Sequence, residues 1–165
     1  MIRLVAIART PTGPAFTVVL ICHVASVLLA LVAAVTGIVA AALTLTAKEE
    51  LTPWVRSYFS PGVNWAGRVL YLVPVFGAAL LVMSGGAYQL GDTWVEVGLG
   101  LWASAVLLGE SVLWPAERRV QRALAEWAGQ GVPATVRGSC RTMFASAAGL
   151  VMLVIAAMVV MMAKP

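Results

Sequence analysis

From Thr10 to Ala47 the chain carries no Asp, Glu, Lys or Arg. A soluble element of that length would keep one face in water and mark it with charge. About 20 apolar residues in a helix cross a bilayer core, so this run reads as a membrane span. Its apolar part, about 30 residues at 1.5 Å each, would reach roughly 45 Å against a core of about 30 Å. Such a helix must tilt or project beyond the membrane. The rest of the chain agrees. Hydrophobic residues make up 61% and charged residues 11% of 165, where soluble domains carry roughly 25% charged residues. Seven acids and eleven bases cannot cover a soluble surface. A soluble enzyme, a disordered chain and a disulfide scaffold are excluded.

Three further apolar stretches follow, and the expected spans are about 15–45, 67–88, 93–114 and 142–162. Helices satisfy their own backbone in lipid, and the alternating ten-residue strands of a barrel are missing. The fold class read here is all-α, an integral-membrane four-helix bundle forming one domain over 1–165. Arg3 and Arg9 precede an apolar run too long for a signal peptide, so the first span is expected to be uncleaved. Two loop segments, about 50–59 and 115–128, read as interfacial helices. Leu51, Trp54, Val55, Tyr58 and Phe59 share one face of the first. Val120, Ala123, Leu124 and Trp127 share one face of the second.

Basic residues set an expected orientation. Arg3, Arg9 and Lys164 fall on one side. Lys48, Arg56, Arg68, Arg118, Arg119, Arg122, Arg137 and Arg141 fall on the other. Positive loops stay inside, so the termini should lie outside and both long loops in the cytoplasm. The net charge of +4 belongs to that face and does not point to nucleic acid.

Ionisable groups inside spans are functional candidates by default. His23, the sole histidine, shares a wheel face with Ser26, Ala30, Ala34, Gly37 and Ala41. It should therefore point into the bundle, either bonded to a neighbouring helix or as a ligand to haem or copper. Met83 or Glu96 would be its partner, since the topology places both at a similar depth. Glu96 and Glu110 lie 14 residues apart on one face of the third span, completed by Gly100, Ala103 and Leu107. Arg68 is the expected partner of Glu110 in a buried charge pair. A proton or transport path through Glu96, Glu110 and Arg68 is the alternative use of these groups. Ala33, Gly37, Ala41, Gly100, Ser104 and Gly149 are the expected helix-packing positions, because small residues let helices approach closely. Pro74 should kink the second span. Cys22 and Cys140 fall on opposite sides and cannot pair. No phosphate loop, GxSxG, HExxH or CxxC is present.

Several short motifs recur in one bacterial group. They are Cys22–His23–Val24, Gly67–Arg68–Val69–Leu70, Ser84–Gly85–Gly86, Trp94–Val95 with Gly98–Leu99, and Pro115–Ala116–Glu117–Arg118–Arg119. Over about residues 16–160 the chain resembles the integral membrane proteins classed as "domain of unknown function 2269". That group is distantly similar to copper-resistance CopD membrane proteins and to the four-helix haem-associated protoporphyrinogen oxidase of bacteria. The resemblance implies a bacterial cytoplasmic membrane and makes His23 the matching candidate ligand. Ala30 and Leu31 stand where a glycine is expected about two turns after the histidine, and no second histidine exists for bis-His haem.

No complete catalytic constellation is present. The leading expectation is a non-enzymatic accessory or scaffold subunit of a larger membrane assembly, with the lipid bilayer and other membrane subunits or further copies as partners. A redox protein holding haem or copper at His23 is the runner-up.

Overall fold

The computed structural model describes residues 13–48, 50–127 and 131–163. Arg3, Arg9, Lys164 and the Ala128 end of the second loop helix lie outside the described residues. The chain is all-helical, 82% helix, with four helices long and apolar enough to span a membrane. These are α1 (Pro14–Thr46), α3 (Trp65–Met83), α4 (Thr93–Ala125) and α5 (Ala134–Ala163). A short helix, α2 (Pro53–Tyr58), lies between α1 and α3. The four long helices run up, down, up, down. The short connection between α3 and α4 closes one end, and the two longer connections lie at the other, basic end.

Sequence explains where most helices stop and start. Pro14 opens α1 after Gly13, a position where its missing N–H costs nothing. The second span ends at Met83, not at 88, because Gly85 and Gly86 take left-handed φ values of 60° and 90°. Ser84 fixes that turn, accepting from the Tyr88 N–H at 3.1 Å. The fourth span starts at Ala134, two turns before the apolar run begins. No breaker separates Arg137–Arg141 from that run, so the helix carries its basic end beyond the apolar band. The same end caps α1, for Arg137 donates to the Leu45 and Ala47 carbonyls at 2.9 Å each. A cationic fork at a helix C-terminus satisfies orphan carbonyls and favours the helix dipole.

The second loop helix is not separate. α4 runs without a break from the apolar span through residues 114–125. Pro115 would end an ordinary helix, since it lacks an N–H and its ring meets the carbonyl four residues back. A π turn over Gly109–Leu113 absorbs the conflict, with the Trp114 N–H donating to Gly109 O, five residues back. The amphipathic continuation then packs on α5, burying Ala116, Glu117, Val120 and Gln121. The first loop helix is shorter than expected, yet Leu51, Val55 and Phe59 are all buried.

α5 is the central helix, packed along both α1 and α4, while α3 leans on α1 and approaches the apolar half of α4 only slightly. Gly37 is the close contact of α1. A Cβ there would lie 3.1 Å from the Tyr58 hydroxyl and 3.2 Å from the Met143 methyl. Ala41 is fully buried, Ala33 is partly buried, and a Cβ at Gly149 would meet Leu108 at 3.2 Å. Gly100 and Ser104 correct the packing expectation. Both are exposed, and nothing lies within 4 Å of a Cβ built at Gly100. The side of α4 that faces the bundle buries Val95, Gly98, Ala105, Gly109 and Leu113 instead. Along the spans, exposed means uncovered by the chain's own described residues.

Candidate functional site

At the basic end, polar groups clasp α3 to α4. Trp114 is nearly buried, its ring held between two glycines. A Cβ at Gly67 would lie 3.1 Å from its indole nitrogen, and one at Gly109 would lie 3.1 Å from its ring. The Arg68 guanidinium stacks over the same ring, 3.8 Å from its centroid. Arg68 Nη1 donates to Glu110 Oε1 at 2.6 Å, and the Tyr71 hydroxyl donates to the same oxygen. The expected pair thus forms but is not buried. The Arg68 and Glu110 side chains are 21% and 46% exposed, for Glu110 lies on the same outward face as Glu96, Ala103 and Leu107.

Glu117 is the group that the sequence reading missed. It is only 5% exposed. It accepts from Asn64 Nδ2 at 3.0 Å and bonds the Tyr58 hydroxyl. Burial, then the charge of Glu117, pushes the Tyr58 phenol well above its ordinary range. The three residues come from three different segments. An amphipathic reading of 115–128 treats any acid as solvent-facing, and only the packing of α4 on α5 makes this one internal. A space of about 20 Å³ beside them has room for a water, which needs about 10–15 Å³.

The other half of the bundle contains a larger space. About 250 Å³ lies between all four spans. His23, Val24 and Val27 of α1 line it, with Leu70 and Val73 of α3. From α4 come Gly98, Leu101, Trp102 and Ala105, and from α5 come Leu153, Val154, Ala157, Met158, Met161 and Met162. An apolar cavity of about 150 Å³ already holds benzene. His23 and Trp102 supply its two polar side chains, and both are anchored on α3. Pro74 has no N–H, which leaves the Leu70 carbonyl without its helical donor. The Trp102 indole N–H donates to that oxygen at 2.9 Å. His23 Nδ1 lies 3.0 Å from the Val73 carbonyl. A carbonyl only accepts, so Nδ1 bears the proton and Nε2 of the neutral ring is an acceptor. Nε2 has no protein partner among the described residues.

The expected partners of His23 are elsewhere. Its ring sits against Val73 and Gly77. Met83 lies six residues further on, about 9 Å along α3, and it does not line the cavity. Glu96 is exposed in the first turn of α4 and also stands outside the cavity. Among the described residues no three His, Cys, Asp or Glu side chains converge on a metal site. Neither Met83 nor Glu96 lines the space that His23 lines. Glu96 and Glu110 lie about 21 Å apart on an outward face whose middle is Gly100, Ala103 and Leu107. They do not meet as a relay.

No family model, curated protein or solved structure matches the chain, so its function rests on its own geometry.

Proposed function

We propose that the protein is an accessory subunit of a larger assembly in a bacterial plasma membrane, with its two basic loops in the cytoplasm. The outward face of α4 carries this reading. Gly100, Ala103 and Ser104 are all exposed there, between Glu96 and Glu110. In lipid, helices associate where small residues let backbones approach, and this bundle does not use these residues for its own packing. The Ser104 hydroxyl donates to Gly100 O at 2.9 Å, which keeps the groove narrow and free of an unmet donor. The small loops offer little surface for soluble partners. The excess of Lys and Arg at the long-loop end supports the orientation.

Photo-crosslinking in native membranes tests the proposal. A photoreactive residue at position 100 should give a discrete protein adduct. The same residue at position 82, which is 83% exposed on α3, should give only lipid adducts. Gly100→Leu should remove the adduct partner from mild-detergent preparations while shifting stability by less than about 0.5 kcal/mol. Lipid adducts alone from position 100 would contradict the reading.

A further inference from the structure

Between the four spans a cleft open on one side has room for about 250 Å³, more than ordinary packing leaves between helices. The cavity walls are aliphatic and thioether, apart from one imidazole and one indole. The indole N–H is engaged by Leu70 O, and the imidazole N–H by Val73 O. What remains is a single acceptor, Nε2 of the His23 ring that lines this apolar cleft. A charged or multiply polar ligand would lose its hydration there without recompense. A purely apolar one would leave the acceptor unmet.

We propose that this cavity binds a small lipophilic ring compound bearing one hydroxyl, which donates its hydrogen bond to His23 Nε2. Access is lateral, from the bilayer. α3 contributes only Leu70 and Val73 to the walls, and its later turns stay on α1, away from the apolar half of α4. Met161 closes over Gly98, where a Cβ would strike its methyl group. A flexible thioether of this kind adapts to guests of different shape. This inference rests on the cavity and is independent of the partner face of α4.

The test uses the full chain in phosphatidylcholine nanodiscs, with equilibrium dialysis of 2-naphthol, naphthalene and 2-methoxynaphthalene. Nanodiscs without protein give the partition baseline. The expected result is one saturable site per chain for 2-naphthol. It should bind about tenfold tighter than naphthalene or the methyl ether, the effect of one hydrogen bond. His23→Leu should reduce that ratio to about one while naphthalene still binds, and Ala157→Phe should abolish binding of all three. The methyl ether tests the bond without any substitution, so a poorly folding His23→Leu does not shield the proposal. Binding no greater than the baseline would overturn it, as would equal affinity for naphthol and its ether. Stoichiometric binding of cuprous ion that requires His23 and excludes naphthol would also overturn it, by making the chamber a metal site.

Discussion

The two ends of this bundle are built by opposite means. At the basic end, α3 and α4 are joined by a guanidinium, an indole, a phenol and one carboxylate, with glycines cut to fit around Trp114. At the other end one bond, from Trp102 Nε1–H to Leu70 O, joins the same two helices, and the space between the four spans is bounded by aliphatic side chains, methionines, one imidazole and one indole. Lipid supplies no hydrophobic force to draw helices together. Where no polar group or close-fitting small residue joins two spans, nothing compels them to close. The comparison teaches that specific bonds hold this protein's helices at one end, which leaves the other free to keep a cavity.

Breaking the clasp should have the largest effect. Trp114→Ala removes the ring that Gly67, Gly109 and Arg68 surround, and is expected to cost about 3–5 kcal/mol, read as a lower Tm in mild detergent. Tyr58→Phe comes next. It leaves the buried Glu117 one donor short and should cost about 1–3 kcal/mol at neutral pH. Its pH dependence sharpens the point. The folded phenol stays protonated above its ordinary range. The folded state therefore binds more protons than the unfolded state above about pH 10, and stability falls as pH rises there. The wild type should lose stability over that window, and Tyr58→Phe should flatten the loss in pH-dependent melts. Arg68→Ala should have the smallest effect, about 1–2 kcal/mol from a half-exposed ion pair and one cation–π contact. A loss as large as that of Trp114→Ala would place the strength of the clasp in the charges instead of the ring.

The number of spans, the inward face of α1 and the Arg68–Glu110 pairing could be read from the residues, because lipid imposes length, periodicity and charge placement strongly. Other features depended on backbone details with weak sequence signals. Pro115 looks like a helix end, yet a π turn carries α4 through it. Gly85 and Gly86 could loosen a helix or stop one, and here they stop it at Met83. The small residues Gly100 and Ser104 fit an inner face as well as an outer one. The inward face of α4 has small residues of its own, Gly98, Ala105 and Gly109, so size alone does not tell the two faces apart. The cavity itself has no local signature, since its lining comes from all four spans. Met158, Met161 and Met162 could be recognised as its wall only once α5 had been placed.

The contrast between the closed and open ends is tested most directly by adding the same volume to each. Ala41 is fully buried in the tight part of α1, and Ala157 lines the cavity on α5. Melting curves of Ala41→Leu and Ala157→Leu in the same detergent make the comparison. Overpacking should cost Ala41→Leu about 1–3 kcal/mol, a drop of several degrees, while Ala157→Leu should keep or raise the wild-type Tm. Equal losses at the two sites would show that no cavity is there to fill, and would contradict the account.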